Sequence, residues 1–168
     1  MLKVLIPVDG SENSLGAVRH VINRYIENKD VEVHLLHVCM RLPQEITRFV
    51  SKKDLDTFHN DEAETTLKPA RDLLNQFAVP FETHVGLGDK AEVIHQMAKD
   101  LGIGEIVIGT GRKNSFTRLI EGSLTNRVME ISDVPVEVIA HGEESKLEKY
   151  GLPAGIGAAL TLLFVANE

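Results

Sequence analysis

Residues 106–125, with the sequence IVIGTGRKNSFTRLIEGSLT, decide how we interpret the fold and the function of this chain. The stretch begins with the short apolar run Ile-Val-Ile, which is typical of a buried strand. Gly109 and Gly111 are expected to break that strand, and a loop rich in basic and hydroxyl side chains follows. Gly122 and Ser123 then open a new helix, for which Ser123 is a candidate N-cap.

This order of strand, glycine turn, basic loop and helix start is the pattern of an anion site. Glycines let backbone N–H groups approach an oxyanion, and a helix N-terminus adds unpaired donors and a partial positive charge. We therefore predict that the loop binds a nucleotide phosphate. The alternative is a tight turn followed by solvated basic side chains. The loop is neither a Walker A motif nor the dinucleotide fingerprint, because Asn114 stands where the fingerprint needs glycine.

The composition is that of a soluble globular domain: 168 residues, of which 43% are hydrophobic and 26% are charged. A net charge of −7 argues against a general nucleic-acid-binding protein. The single cysteine, Cys39, excludes an internal disulfide and follows an apolar strand, so we interpret it as a buried, inert thiol. The chain begins directly in a predicted strand without a leader of signal-peptide type, and we expect a cytoplasmic protein.

Strands alternate with helices along the first 140 residues. The alternation predicts an α/β fold, a doubly wound five-stranded parallel sheet of Rossmann-like type with helices on both faces. Asp9 follows the first strand and Gly109 ends the fourth, so we expect them to face each other where the strand order reverses. Pro135 favours an edge position for the fifth strand. The predicted strands are 2–8, 31–38, 81–85, 105–109 and 134–140, and the predicted helices are 12–26, 54–77, 90–101 and 123–131.

Neither a catalytic nor a metal-binding set is predicted. His34 and His37 are three residues apart in a strand, so their side chains should point to opposite faces of the sheet. We interpret them as satisfied strand histidines, and the acidic residues of the 54–77 helix, including Glu62, as a solvated face. Asp9 lies near several hydroxyl groups, but no nucleophile with a positioned base is evident.

The sequence resembles the universal stress protein family over about residues 1–140. The glycine loop is part of this resemblance: in the nucleotide-binding branch it reads Gly, two residues, Gly, nine residues, Gly and Ser or Thr. Gly109 fills the first position, Gly122 and Ser123 close the motif, and Arg112 stands where the second glycine belongs. The other residues that carry the resemblance are Pro7-Val8-Asp9-Gly10-Ser11, Leu36-His37-Val38, Val85-Gly86 with Asp89, Ala91 and Val93, and Val134-Pro135-Val136.

The resemblance implies an adenine-nucleotide alpha-hydrolase-like fold that binds ATP, with or without Mg²⁺. Pro7, Val8 and Asp9 would flank the ribose and adenine, and Val38 would hold the adenine through its backbone. Arg112 would either block the approach of the phosphates to the backbone or pair with them through its guanidinium. The remaining residues of the implied nucleotide site are Ile108, Gly109, Gly111, Gly122, Ser123, Leu124 and Thr125.

Three functions compete on this basis. The first is a regulatory stress-response module that binds an adenine nucleotide. The second is a structural or interaction dimer of the same family that binds no nucleotide because its loop is altered at Arg112. The third is an enzyme, which we rank last and limit to slow ATP hydrolysis.

The family also implies a homodimer formed through the fifth strand, from Val134 to Ala140, whose backbone groups would otherwise be exposed. We divide the chain into a universal stress protein domain, residues 1–141, and a C-terminal extension, residues 142–168. The extension should be helical over 143–149, and its apolar part, 152–166, is shorter than the ~20 residues that span a bilayer. We expect it to dock on its own sheet or on a dimer partner. A membrane is disfavoured because the segment lacks a basic face.

Overall fold

The computed structural model describes residues 1–111, 124–141 and 162–164. Their strands form one sheet in the order β3-β2-β1-β4-β5-β6. Within these ranges, no helix is both long and apolar enough to cross a bilayer. In chain order the elements are β1 (Leu2–Pro7), α1 (Glu12–Asn28), β2 (Val31–Cys39), α2 (Gln44–Thr47), α3 (Lys52–Gln76), β3 (Phe81–Leu87), α4 (Lys90–Leu101), β4 (Glu105–Gly111), α5 (Leu124–Ile131), β5 (Val136–His141) and β6 (Leu162–Phe164).

The predicted doubly wound parallel sheet is confirmed, with strands β1 to β5 parallel in the order 3-2-1-4-5. Successive side chains of each strand point to opposite faces of the sheet. Both faces are apolar, and helices cover both. Val4 and Ile6 of β1 belong to the core beneath α1 and α3. Leu5, between them, belongs to the core beneath α4 and α5. The strand order reverses between β1 and β4, which places the ligand crevice of this fold at their carboxyl ends.

The glycines after residue 108 do not break the fourth strand, and that prediction is wrong. β4 continues to Gly111, because Gly109, Thr110 and Gly111 pair in register with Ile139, Ala140 and His141 of β5. Backbone pairing with a neighbouring strand therefore outweighs the low strand propensity of glycine.

The fifth strand is not an edge strand in this structure, which corrects the prediction made from Pro135. That proline lies just before β5, where its missing N–H costs the ladder no hydrogen bond. The other side of β5 carries β6, whose residues 162–164 pair antiparallel with Val136, Glu137 and Val138. This part of the apolar extension is thus a strand rather than a helix. The helix expected over 143–149 lies outside the described residues.

Two buried carboxylates meet one arginine between α1 and the sheet. Arg24 Nη1 donates to Glu105 Oε2 at 2.8 Å and to Glu137 Oε2 at 3.0 Å. His20 Nε2 lies 3.0 Å from the other oxygen of Glu137. Both glutamates belong to the sheet and are almost completely buried. Arg24 therefore gives both buried carboxyl groups a positively charged hydrogen-bond donor inside the protein.

This cluster predicts a pH-dependent contribution to stability. Burial raises the pKa of Glu137, but His20 and Arg24 together outweigh it, so the pKa lies below its ordinary value of 4.5. A lowered folded-state pKa stabilises the protein above the unfolded-state pKa, and the contribution is lost as the pH falls through the folded-state pKa. We expect Glu137→Gln to be less stable than the wild type at pH 7, with a difference that shrinks below about pH 4.5. Urea unfolding of both proteins from pH 3 to pH 8 measures this difference in the free energy of unfolding. A difference that does not change with pH would contradict the role assigned to Glu137.

Candidate functional site

A crevice opens at the carboxyl ends of β1 and β4, with Asp9 and Gly109 both in its lining as predicted. Its volume is about 70 Å³, well below the ~300–1,000 Å³ of complete small-molecule sites. These residues can therefore hold part of a nucleotide but do not enclose a whole one. The lining comprises Pro7, Val8, Asp9, Ser14, Leu36, His37, Val38, Lys90, Ile94, Ile108, Gly109 and Leu124.

The acidic residue of the crevice is held by a turn between β1 and α1. The backbone N–H and the hydroxyl of Ser11 donate to Asp9 Oδ1 at 3.0 and 2.6 Å. Gly10 permits this turn because its φ of +79° lies in the left-handed region that side chains disfavour. Desolvation raises the pKa of Asp9, but the hydrogen bonds from Ser11 and Ser14 outweigh it and lower the pKa. Asp9 is therefore an exposed, ionised acceptor at neutral pH.

Gly109 lies against the backbone of the first turn of α1. A Cβ atom at this position would be 1.8 Å from the carbonyl oxygen of Asn13 and 3.0 Å from the amide nitrogen of Ser14. The side chain of Ser11 caps the same turn by accepting from the Ser14 amide. Glycine is therefore required at position 109 for helix α1 to pack this closely on β4. This requirement is independent of any contact that Gly109 makes with a ligand.

The wall formed by β2 supplies the surface expected for an adenine. Leu36 and Val38 are two residues apart and face the same side of the sheet. Val8 is fixed against this strand, because its amide donates to the Leu36 carbonyl at 2.8 Å. Its own carbonyl lies 3.0 Å from Nδ1 of His37 and must accept from it. Val8, Val38 and His37 thus form one rigid side of the crevice.

Helices α4 and α5 form the opposite rim. Asp89 caps α4 by accepting from the amides of Ala91 and Glu92. Its second oxygen accepts from Arg127 Nη1 at 2.9 Å, which ties α4 to α5. Leu124, the first residue of α5, and Lys90, the first residue of α4, both line the crevice. Lys90 places a cation beside the candidate ligand site.

The structure brings most of the predicted site residues together. Pro7, Val8, Asp9 and Val38 lie on one side, with Ile108, Gly109 and Leu124 completing the set. Gly111 lies at the end of β4 near Asn13, and Thr125 is in the first turn of α5, but neither is among the lining residues. Arg112, Gly122 and Ser123 lie outside the described residues.

Five lining residues were missed in the sequence: Ser14, Leu36, His37, Lys90 and Ile94. Leu36 was recoverable, since it lies two residues before Val38 in the same predicted strand and so shares its face. Lys90 directly follows the Asp89 cap at the carboxyl end of β3, which is the edge of the sheet where ligands bind. Ser14 and Ile94 carry no comparable signal, because a buried helical residue is more often part of the core.

Cys39 is a free and fully buried thiol. Burial, and secondarily the carboxylate of Glu62, raise the pKa of this thiol to about 11. A thiol with so high a pKa is protonated at neutral pH and is a poor nucleophile.

The sheet order and the crevice at its reversal point define the protein as an α/β protein of the nucleotide alpha-hydrolase-like class. Residues 1–140 match the model of the universal stress protein family. The chain therefore belongs to this family, as its sequence motifs indicated.

Individual relatives agree with this assignment. Universal stress protein G of Salmonella typhimurium is 30% identical over 143 residues, which cover 81% of this chain and 96% of that protein. The solved structure of the hypothetical protein MJ0577 is similar, with a TM-score of 0.66 and 26% identity over 84% of this chain and 97% of that one. A universal stress protein family protein from Arabidopsis thaliana, solved with AMP bound, has a TM-score of 0.61 and 16% identity, over 88% of this chain and 95% of that one.

Proposed function

We propose that this protein is a regulatory stress-response module that binds an adenine nucleotide, ATP in the first place, in the crevice between β1 and β4. The observation that carries the proposal is the position of an ionised, exposed Asp9 across from Gly109 at the point where the strand order reverses. The Arabidopsis thaliana relative that was solved with AMP supports an adenine nucleotide as the ligand.

Each part of the crevice suits one part of the nucleotide. The Asp9 carboxylate can accept hydrogen bonds from ribose hydroxyls, and the apolar side chains of Leu36 and Val38 can cover the adenine ring. Lys90 can approach the phosphates, with the glycine loop from Gly109 to Ser123 supplying backbone donors. Mg²⁺ would be bound through the phosphates, as is usual for this ion. We propose binding without efficient turnover, so hydrolysis should be at most slow.

Removing the charge of Asp9 should weaken nucleotide binding by about 10- to 100-fold, because a hydrogen bond to a charged group contributes about 1.5–3 kcal/mol. Asp9→Asn keeps the side-chain oxygen that accepts from Ser11, so the turn should survive. Isothermal calorimetry of nucleotide-stripped protein against Mg-ATP measures the effect, with Mg-GTP as the specificity control. Asp30→Asn is the matched control, since Asp30 lies at the opposite end of β1 and pairs with the N-terminus.

The alternative is a dimeric interaction protein of the same family that binds no nucleotide. The residue that favours it is Arg112, which stands where the nucleotide-binding branch has glycine. In that case neither ATP nor GTP would give a heat of binding, and neither would raise the melting temperature of the wild type. Micromolar ATP binding without GTP binding would exclude this alternative.

We also propose that the protein is a homodimer that uses the β5 side of the sheet. Because β6 already pairs with Val136, Glu137 and Val138, a partner would have to add to β6 or displace it. Analytical ultracentrifugation of the whole chain, compared with residues 1–141, distinguishes these arrangements: only displacement predicts a tighter dimer for the shortened chain.

A further inference from the structure

A second group of ligand-bearing side chains lies on the opposite face of β2, beneath α3. His37 and Cys39 are two residues apart in the strand, so both point to this face. His59 and Glu62 are three residues apart in the helix and likewise share one side of it. Strand and helix together bring two imidazoles, a thiol and a carboxylate to one place.

Three of these four side chains have donor atoms close enough together to be candidate ligands of one ion. His37 Nε2 lies 3.7 Å from Glu62 Oε1, and His59 Nδ1 lies 3.9 Å from Glu62 Oε2. The donor atoms of His37, Cys39 and Glu62 all lie within 4.8 Å of one another. In a tetrahedral zinc site with ordinary bond lengths, ligand atoms are roughly 3.3–3.6 Å apart. Side-chain rotations that shorten these separations would close His37, Cys39 and Glu62 around one ion, and His59, which lies outside that group of three, would have to move further to join them.

His37 is prepared for coordination by its other nitrogen. Nδ1 must carry the ring proton, because it lies 3.0 Å from the carbonyl oxygen of Val8, which can only accept. In the neutral ring, Nε2 is then the nitrogen that carries the lone pair. The residue is only 6% exposed, and in the described part of the chain Nε2 has no hydrogen-bond partner. A histidine anchored through one nitrogen to a backbone carbonyl, with the other directed at acidic and sulfur ligands, is the usual arrangement in metal sites.

We propose that His37, Cys39 and Glu62 bind a zinc ion, with His59 as the fourth ligand. Thiolate and imidazole ligands favour zinc over Mg²⁺ and Ca²⁺, which prefer oxygen. On binding, the Cys39 sulfur exchanges its proton for the metal, and the proton leaves to solvent. The metal site does not require a bound nucleotide, although His37 also lines the crevice and is hydrogen-bonded to Val8 there.

A second histidine cluster differs because both ring nitrogens of its buried histidine have hydrogen-bond partners. His34, Glu82 and His84 also lie close together. However, Nδ1 of His34 is 3.0 Å from His84 Nε2, and its Nε2 is 3.2 Å from Glu32 Oε1. Both nitrogens of His34 already have partners, so this cluster has less need of a metal and serves as an internal control.

The sequence carried a signal for the zinc site that single-strand reasoning missed. His34 and His37 are three residues apart in β2 and lie on opposite faces, so this pair indicates no site. The informative pairs were His37 with Cys39 in the strand and His59 with Glu62 in the helix. Neither pair identifies a site alone, and only the packing of α3 on β2 joins them.

The test is metal binding by the full chain after treatment with a chelator, in the absence of nucleotide. We expect the wild type to bind one equivalent of Zn²⁺ in competition with a chromogenic chelator. Co²⁺ in place of Zn²⁺ should give a thiolate-to-cobalt charge-transfer band. Cys39→Ser should abolish that band, and both Cys39→Ser and Glu62→Gln should lower the zinc affinity at least about tenfold, since loss even of an outer-shell partner costs 10–100-fold.

Two variants serve as matched controls. Asp61→Asn removes the exposed acid next to Glu62 on α3, and His84→Gln disrupts the second histidine cluster; both should bind zinc like the wild type. The proposal is overturned if the wild type binds no zinc, or if Cys39→Ser and Glu62→Gln bind it unchanged. It is equally overturned if His84→Gln abolishes binding, because the metal would then belong to the other cluster. Circular dichroism of each variant separates loss of a ligand from loss of the fold.

Discussion

Replacing Gly109 with alanine should destabilise the protein by more than about 3 kcal/mol, at the upper end of what overpacking costs. The added methyl group would lie 1.8 Å from the carbonyl oxygen and 2.4 Å from the carbonyl carbon of Asn13. These are backbone atoms, so no side-chain rotation relieves the contact. Helix α1 would have to move away from β4, which would open the core beneath it and displace Ser14 from the crevice.

Gly111→Ala is the matched control for this prediction. Gly111 lies two residues further along β4, and the nearest described atoms to its added methyl group belong to the side-chain amide of Asn13, at 3.3 Å. That side chain can rotate, so the cost should be below about 1 kcal/mol. Urea unfolding of the two variants measures both effects. Similar stabilities for Gly109→Ala and Gly111→Ala would show that the approach of α1 to Gly109 is looser than the structure indicates.

Replacing Arg24 with methionine should cost about 3–5 kcal/mol at pH 7. The substitution keeps most of the apolar length of the side chain but leaves the carboxylates of Glu105 and Glu137 without their shared guanidinium. Both carboxylates are almost completely buried, so neither can recover the lost interaction from water. The loss should diminish as the pH falls and protonation removes the buried negative charge of Glu137.

Arg19→Met provides the comparison on the same helix. Arg19 pairs with Glu12, but their side chains are 46% and 69% exposed, so the pair contributes at most about 1 kcal/mol. Unfolding curves of both variants at pH 7 and pH 4 test the difference in burial. An equal cost for Arg19→Met and Arg24→Met at pH 7 would contradict the role assigned to the buried cluster.

The architecture was predictable because the signals that determine it are local and repeated. The strand predicted over 2–8 and the helices predicted over 12–26 and 90–101 appear in the structure as Leu2–Pro7, Glu12–Asn28 and Lys90–Leu101. The parallel sheet with helices on both faces followed from the alternation of strands and helices. The extent of β4 did not, because Gly109 and Gly111 have low strand propensity and their pairing with β5 depends on residues thirty positions away.

The candidate site was predictable to the degree that its residues sit at element ends. Asp9 follows β1 and Gly109 lies near the carboxyl end of β4, and their meeting across the crevice is a consequence of topology alone. Ser14 and Ile94 could not be recognised, since their position in the crevice depends on which neighbours the fold gives them. The proposed metal ligands could not be predicted for the same reason. His37 and Cys39 lie in β2, His59 and Glu62 lie in α3, and only the packing of α3 against β2 brings the two pairs together.

The pairing of β6 with β5 has a consequence for how the chain is made. Translation proceeds from the N-terminus, so all five parallel strands leave the ribosome before residues 162–164 are available to pair with β5. During that interval the nascent sheet presents an uncovered row of backbone donors and acceptors, the kind of surface on which neighbouring polypeptides associate. Closure of this edge by β6 therefore comes after the five parallel strands have been made, and until then β5 is an open edge on which other chains can associate.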